Sequence, residues 1–173
     1  MPRYVALLRG VSPMNCKMPE LQGSLEAAGF TDVKTLLSSG NVAFSTPRAA
    51  SAATLRKRLE AAMQDGMGKH FATHVRPSEH LQQLIAADPF AAFKLPAGSK
   101  RVVTFLREPL QASPVALPLT HGEACIWSLS GAEVFCSYVP EAKGPVFMQL
   151  LEKTFGKDIT TRTWDTVAKC AAA

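Results

Sequence analysis

The sequence predicts an α+β protein, with a ferredoxin-like βαββαβ unit followed by a second, partly similar α+β unit packed against it. Three observations predict this fold class. An aliphatic strand comes near the start, amphipathic helices alternate with short strands after it, and Gly/Asn turns separate neighbouring strands. The 173 residues, 47% hydrophobic and 19% charged, are typical of a globular chain that buries its own core.

The first predicted unit opens with a strand whose residues from Val5 to Leu8 are all apolar. Because both alternating sets of side chains are apolar, this strand should be central and covered on both faces. Helix, strand, strand, helix and strand follow in that order, which is the βαββαβ pattern. The predicted bounds are 4–9, 33–37, 42–45 and 71–76 for the strands, and 19–28 and 52–65 for the helices.

Glycine and asparagine mark the turns of this unit. Gly29 follows the first helix, where a left-handed residue commonly ends a helix, and Phe30 can supply the hydrophobic contact beyond it. Gly40 and Asn41 tolerate positive φ, so the segment Ser38-Ser39-Gly40-Asn41 predicts a tight hairpin.

A third helix is predicted over 78–87, because Ser78 is a suitable N-cap and Asp88-Pro89 stops a helix. We therefore predict residues 1–77 as the ferredoxin-like subdomain, 78–98 as a helix and linker, and 99–173 as the second α+β subdomain.

The second half partly repeats the pattern. Its predicted strands are 101–106, 125–129 and 133–139, with 159–162 as a short last strand, and its helices are 145–155 and 164–170. The connection from 108 to 123 contains Pro109, Pro114 and Pro118. Proline lacks the amide hydrogen that a helix interior needs, so we expect no regular crossover helix there.

Composition restricts location and partners. The longest aliphatic run near the start, Val5-Ala6-Leu7-Leu8, is too short for a signal-peptide core or a membrane span, so we expect a cytoplasmic chain with no membrane partner. The four cysteines form no CxxC pair and should stay reduced. The net charge is +5, but the run Arg56-Lys57-Arg58 points in three directions around a helix and favours a solvated face over a phosphate-binding stripe.

Several segments resemble one known family. They are YVALLRGVSPMNCKMPELQGSLEAAGFTDVKTLLSSGNVAF from Tyr4, RPSEHLQQLIAADPF from Arg76, VVTFL from Val102 and TTRTWDTVAK from Thr160. With its LLRG and SGN elements, the chain resembles the domain-of-unknown-function 1697 family over nearly its whole length. The resemblance implies a bacterial, cytosolic, two-part α+β fold, and it implies no activity, cofactor or substrate.

The chain departs from that family in three places. The loop after LLRG is usually glycine-rich and basic, but here it reads VSPMNCK, in which only Lys17 is basic. The stretch before the late helix, usually basic and polar, reads EAKGPVFMQ, and Thr163 and Asp165 stand where the family has asparagines. A ligand that the family held with these loops would meet different groups in this chain.

Common catalytic motifs are absent from the sequence. It contains no GxxxxGK[ST] phosphate loop, no GxGxxG after a strand, no HExxH and no GxSxG. His70 and His74 are four residues apart, a spacing that lies along a strand without converging on a metal. We therefore predict neither a metal site nor a cofactor.

One candidate site follows from topology. In a βαββαβ sheet of order 4-1-3-2, the end of the first strand, the turn between the second and third, and the start of the fourth share one edge. Guanidinium and ammonium groups together with glycine amides at such an edge suit a phosphate or carboxylate. The alternative is that the arginine pairs with an acidic neighbour and the turn has no ligand. The candidate ligand-binding residues are Arg9, Gly10, Lys17, Ser39, Gly40, Asn41, Lys69 and His70.

A second candidate lies in TTRTWDTVAK, where Arg162, Trp164 and Asp165 surround a predicted helix start. Free amides at a helix start favour anions, and Trp164 could stack a base. The simpler interpretation is that Thr163 caps the helix, Asp165 complements its dipole, and Trp164 anchors it to the core.

Function is less constrained than fold. The leading hypothesis is a small binding protein for an anionic ligand such as a nucleotide or phosphate. Nucleic-acid binding through the sheet is an alternative, although the central strands offer only Tyr4 and Phe44 for stacking. An enzyme of unidentified class with His70 or Asp165 as general base, or an oligomeric adaptor, also remains open, because no nucleophile–base pair is visible.

Overall fold

The computed structural model describes residues 1–140 and 146–173. The chain forms two compact units. One contains Met1–Ala86 together with Ala168–Ala173, and the other contains Ala87–Val167. The division into 1–77, 78–98 and 99–173 stays a prediction.

The first unit has the predicted βαββαβ order. Its elements are β1 (Arg3–Leu8), α1 (Met18–Ala27), β2 (Thr31–Leu36), β3 (Asn41–Ser45), α2 (Ala52–Met67) and β4 (Thr73–Pro77), and α3 (Ser78–Ala87) follows. The fourth strand starts two residues later than predicted, because β1 itself ends at Leu8, whose partner in β4 is Thr73. The second helix is longer than predicted and continues through Gly66 to its left-handed cap at Gly68.

The sheet of this unit has the order β2-β3-β1-β4, which confirms the predicted order 4-1-3-2. All three pairings are antiparallel. As expected for a central strand, β1 is buried on both faces from Tyr4 to Leu8. On one face Tyr4, Ala6 and Leu8 belong to the same core cluster as apolar residues of α1 and α2, including Leu25 and Leu59.

The end of α1 follows the predicted glycine pattern. The Gly29 amide donates to the Glu26 carbonyl at 3.0 Å and the Phe30 amide to the Leu25 carbonyl at 3.2 Å, which is the Schellman arrangement. Gly29 has φ of +97°, and Phe30 is buried. The sequence therefore predicts not only the helix but also the geometry of its end.

The second unit contains β5 (Lys100–Leu106), β6 (Leu119–His121), β7 (Ala124–Ser130), β8 (Glu133–Tyr138), α4 (Val146–Phe155) and β9 (Ile159–Thr163). A last helix, α5 (Trp164–Ala172), begins in this unit. Residue 145, the predicted start of α4, lies outside the described residues. A 3-10 turn at Pro89–Ala92 precedes β5.

The second sheet has the order β6-β7-β8-β5-β9. Without β6, this order repeats that of the first sheet, and the connection between β5 and β7 holds no helix, as the prolines predict. The short strand β6 was not predicted. It is an edge strand that starts directly after Pro118, and its pairing of Leu119 with Ile126 depends on β7 rather than on any local signal.

Among the described residues, no helix combines the length and apolar character that crossing a membrane requires.

Candidate functional site

The structure brings three separate segments to one end of the first sheet. The Leu8 amide donates to the Gly40 carbonyl at 2.8 Å, and the Arg9 amide donates to the Ala72 carbonyl at 2.9 Å. The end of β1, the β2–β3 turn and the residues before β4 are therefore hydrogen-bonded neighbours. We call the part of this end that carries Arg9, Gly10, Lys17, Lys69 and His70 the basic rim.

Gly40 is at the centre of this junction. Its φ is +89°, and a Cβ there would lie 3.0 Å from the Cβ atoms of both Leu8 and Val11. Only a residue without a side chain fits both the backbone and the space. Gly40 thus holds the β2–β3 turn against the end of β1, and it does so by close packing.

Asn41 shapes the turn from inside. Its side chain is fully buried, and Nδ2 donates to the Leu36 carbonyl and to Ser39 Oγ, each at 3.1 Å. An amide nitrogen carries two hydrogens, so these bonds occupy the donor capacity of the group. The turn residues Ser39, Gly40 and Asn41 therefore support the basic rim, and of the three only Ser39 is exposed.

The loop after β1 is closed by its own hydrogen bonds. Asn15 Nδ2 donates to the Gly10 carbonyl at 2.7 Å, and the Ser12 amide donates to Asn15 Oδ1 at 2.9 Å. Lys69 Nζ donates to the Asn15 carbonyl from the other side of the rim. This contact brings the Lys69 ammonium group to the loop that leads into α1.

Cys16 anchors the same loop in the core. It is buried within the cluster that contains Leu8 and Leu21. Burial raises the pKa of the Cys16 thiol, an effect that Lys69 opposes and Glu20 increases. The thiol is therefore neutral at physiological pH and acts as a small apolar group rather than as a nucleophile.

The exposed charges of the rim are mostly positive. Lys17, Lys69 and His70 are exposed and Arg9 is half-buried. Residues 9–20 and 69–70 contain three Lys/Arg, at 9, 17 and 69, against one carboxylate at Glu20, a balance of +2. The rim also includes the N-terminal end of α1, where Lys17 occupies the N-cap position without a side-chain capping hydrogen bond. A helix N-terminus carries partial positive charge, which adds to that of the side chains.

The residues of the second candidate are not brought together. Trp164 is buried, with its ring edge-on to Phe90 at a centroid distance of 5.1 Å. Asp165 is exposed, with Oδ1 4.0 Å from Arg101 Nη2. Thr163 accepts a hydrogen bond from the Thr166 amide at 3.3 Å, which is the capping contact. Trp164 and Asp165 thus have structural partners in this unit.

Arg162 lies elsewhere, in the wall of a cavity of about 490 Å³ within the second unit. The cavity lies against α4 and the adjoining strand ends, and its wall includes Tyr138, Phe147 and Thr161. Sequence reasoning missed this cavity. Apolar and threonine residues at these positions are ordinary in a sheet that a helix covers, so no residue type signals it.

The first sheet offers no exposed stacking surface of the RRM kind. Tyr4 and Phe44 are stacked on each other, with a centroid distance of 5.7 Å and an interplanar angle of 23°. Both are buried, and both belong to the core cluster that includes α1 and α2. A base cannot reach them in this arrangement.

The described residues contain no cluster of three or more His, Cys, Asp or Glu side chains that could bind a metal ion. His70 is exposed, whereas His74 is buried in β4, so the two histidines do not share a surface.

Comparison with known proteins identifies the family of this chain and one protein of similar structure. The model of the family described as "Protein of unknown function (DUF1697)" matches residues 1–135. The chain belongs to this family. It is also similar in structure to the conserved bacterial protein SP0830 from Streptococcus pneumoniae, with a TM-score of 0.71 and 20% identity, over 99% of this chain and 97% of that one.

These comparisons support the fold and assign no function. At 20% identity the structural similarity shows only that the two proteins share an α+β architecture. No curated protein matches the chain. A function for this DUF1697 protein must therefore be argued from its own side chains.

Proposed function

We propose that the protein binds a small phosphate- or carboxylate-bearing ligand at the basic rim. The observation that carries the proposal is the junction of three segments, in which the bonds from the Leu8 and Arg9 amides bring the α1 loop and Lys69 to one end of the sheet. A rigid backbone junction that presents lysines, an arginine and a helix N-terminus has the charge distribution that small anions require.

The supporting electrostatics are local. Two ammonium groups, those of Lys17 and Lys69, are exposed, so their interaction with a free anion would be screened by salt. Arg9 is half-buried and has interactions within the protein, so we expect it to add positive charge to the rim while the exposed lysines make the first contact with the ligand. We therefore expect binding that weakens as ionic strength rises.

The chemistry of the rim favours the anionic group over any attached base. None of its defining residues is Phe, Trp or Tyr, and base–aromatic stacking is what normally holds a nucleobase. A nucleotide would thus be held by its phosphates, and inorganic phosphate should bind at the same place. We also propose that the protein is cytoplasmic. All four cysteines are free and buried, which is typical of proteins in a reducing compartment.

The test uses inorganic phosphate and backbone amide NMR. Phosphate should shift the amides of Gly10, Ser12, Met14–Lys17, Lys69 and His70 in one saturable process. The double variant Lys17→Ala/Lys69→Ala should weaken binding about tenfold or more, since each substitution removes one charge-assisted contact. Arg48→Ala/Lys57→Ala is the matched control, because it removes the same net charge from exposed positions outside the rim.

Two results would contradict the proposal. The first is a set of shifts scattered over the unit rather than grouped at the rim. The second is equal weakening by the two double variants, which would show that only net charge matters. A single-stranded RNA oligonucleotide in the same titration tests the nucleic-acid alternative, for which the buried Tyr4–Phe44 pair offers no platform.

A further inference from the structure

We infer that the second unit binds an uncharged nucleoside, a flat heteroaromatic ring that carries a sugar diol, on the face of its sheet opposite α4. Two half-buried rings of this unit, those of Phe93 and Trp127, lie nearly parallel, with centroids 5.2 Å apart and an interplanar angle of 13°. A nucleobase can extend such a stack, because every base offers a flat π face to an aromatic side chain.

The strand register places the indole on that face of the sheet. Trp127 Nε1 donates to Ser137 Oγ at 2.8 Å, so the indole lies on the same face as Ser137. The preceding residue, Cys136, belongs to the core cluster shared with α4, and successive residues of a strand point to opposite faces. The register of β7 shifts between Ile126 and Ser128, so Trp127 is the extra residue of a β-bulge. Bulges redirect side chains, and this one brings Trp127 to Ser137.

Buried rings hold the stack in place. Phe90 contacts Phe93 edge-on at a centroid distance of 6.1 Å, and it contacts Phe135 and Trp164 edge-on at 5.7 and 5.1 Å. Of these rings and that of Trp127, only Phe93 and Trp127 are not buried. Base stacking, which the sequence suggested for Trp164, is therefore available at Trp127 instead. A surface that is already ordered loses little conformational entropy when a ring binds to it.

A pair of opposite charges lies beside the stack. Arg101 of β5 is the Cα partner of Ser137, so its side chain is on the same face and next to the residue that holds the indole. Arg101 Nη2 is 4.0 Å from Asp165 Oδ1, and the two side chains are 42% and 87% exposed. An exposed pair at this distance contributes little to stability, so both groups can turn toward a ligand at little cost.

This charge pair decides the class of ligand. A phosphate or carboxylate near Arg101 would also meet the Asp165 carboxylate, which repels it. A sugar diol can instead donate to the carboxylate and accept from the guanidinium group. Neighbouring strands are about 4.8 Å apart, so side chains of β7 and β5 are separated by about 10 Å, a distance that a base and its ribose span together. The patch therefore favours a nucleoside over an organic anion.

Three probes separate the ring from the diol in NMR titrations of the full chain. Adenosine has both groups, 2′,3′-dideoxyadenosine has the base without the diol, and ribose has the diol without the base. We expect adenosine to bind about tenfold more tightly than 2′,3′-dideoxyadenosine, and ribose to leave the spectrum unchanged. The chain has two tryptophans, and only the indole N–H signal of Trp127 should shift, whereas that of Trp164 stays in place.

Ring variants test the placement of the base. Trp127→Leu keeps an apolar side chain and removes the ring, so it should weaken adenosine binding about tenfold or more, and Phe93→Leu should act in the same direction. Phe147→Leu is the matched control, because Phe147 lies on α4 and forms the other stacked ring pair of this unit, with Tyr138. Thermal unfolding of each variant checks that the protein remains folded.

A charge variant tests the placement of the diol. Asp165→Ala removes the acceptor, so it should weaken adenosine binding about tenfold and leave 2′,3′-dideoxyadenosine binding unchanged. Glu123→Ala is its control, because it removes the same charge from an exposed position in the turn between β6 and β7.

Four outcomes would overturn the inference. They are failure of adenosine to bind, adenosine binding without a shift of the Trp127 indole signal, equal affinity for adenosine and 2′,3′-dideoxyadenosine, and equal effects of Trp127→Leu and Phe147→Leu. The basic rim plays no part in this test, because adenosine carries no phosphate or carboxylate and the rim belongs to the first unit. Lys17→Ala/Lys69→Ala should leave adenosine binding unchanged, so the two proposals can fail separately.

Discussion

Gly66 of α2 lies directly against Ser24 of α1. A Cβ built on Gly66 would be 2.2 Å from Ser24 Oγ and 2.6 Å from Ser24 Cβ, closer than two non-bonded heavy atoms can approach. Ser24 Oγ is held in place because it donates to the Glu20 carbonyl at 2.8 Å. The two helices that cover the first sheet therefore approach each other through a glycine.

Gly66→Ala should destabilise the first unit, although alanine is the better helix former. Alanine in a helix interior is favoured over glycine by about 1 kcal/mol, but the clash with Ser24 would push α1 and α2 apart at a cost of about 1–3 kcal/mol. Gly23→Ala is the control, because Gly23 also lies in a helix and a Cβ there would have nothing within 4 Å. Urea denaturation should show a loss for Gly66→Ala and a gain of about 0.5–1 kcal/mol for Gly23→Ala.

The double variant Ser24→Gly/Gly66→Ala tests the cause. If contact with Ser24 Cβ is responsible, removal of that atom should return part of the lost stability. A loss that is the same with serine or glycine at position 24 would show that the clash is not the reason.

Gly40→Ala should cost more than Gly10→Ala. Both glycines have positive φ, +89° and +79°, so both substitutions strain the backbone by about 1–3 kcal/mol. Only Gly40 is crowded, by Leu8 and Val11, whereas nothing lies within 4 Å of a Cβ at Gly10. The excess loss for Gly40→Ala, measured by urea denaturation, reports the packing of the turn against β1. Equal losses of stability for the two variants would mean that backbone strain alone explains why position 40 needs glycine.

Much of the fold could be predicted because its signals are local. The apolar run of β1, the glycine after α1 and Gly40 in the β2–β3 turn each depend on a few adjacent residues, and the strand order follows from the βαββαβ sequence of elements. Asn41, which was also expected in the turn with positive φ, instead begins β3 in extended conformation. The prolines between β5 and β7 likewise predict the missing helix. The strand β6 carries no such signal, since it exists by pairing with β7.

The candidate site was predictable as a location but not in its details. The strand order predicts that Arg9 and Gly40 share one end of the sheet, because antiparallel neighbours alternate direction. It does not predict that Asn41 is buried with its amide bonded to Leu36 and Ser39. Such bonds depend on how far the turn folds back, and the volume of a cavity depends on the distance between a helix and the sheet. Neither the turn geometry nor that distance can be predicted from the types of the residues involved.

Asn41→Asp should destabilise the turn, and the loss should depend on pH. A carboxylate cannot donate to the Leu36 carbonyl, and placing a buried negative charge against that carbonyl oxygen costs about 3 kcal/mol or more. Burial would raise the carboxyl pKa in the folded state, so the stability present at acid pH is lost as pH rises above the unfolded pKa of about 4. Urea denaturation at pH 4 and pH 7 should therefore show the larger deficit, relative to the natural chain, at pH 7.

Asn41→Ala provides the comparison for that result. It removes the same donor without adding a charge, so its deficit should be about 1–3 kcal/mol at both pH values. A deficit for Asn41→Asp that did not change between pH 4 and pH 7 would indicate that position 41 is open to water in solution.

The Cys136 thiol should make the stability of the second unit fall at alkaline pH. It is fully buried in the core between the second sheet and α4, and burial raises its pKa well above the ordinary value of 9.0. Above pH 9 the thiol ionises in the unfolded chain but stays protonated in the folded one. The unfolded state then binds fewer protons, so the free energy of unfolding decreases by about 1.4 kcal/mol per pH unit from this group.

Cys136→Ala isolates that contribution from those of other groups. The variant should be less stable than the natural chain at pH 8, because a buried side chain is truncated. Since alanine does not titrate, this deficit should shrink by about 1–2 kcal/mol between pH 8 and pH 10, as measured by urea denaturation. Val134→Ala truncates a side chain of the same core cluster without removing a titrating group, so its deficit should stay constant. Parallel pH profiles for the two variants would mean that Cys136 ionises as readily in the folded protein as in the unfolded chain.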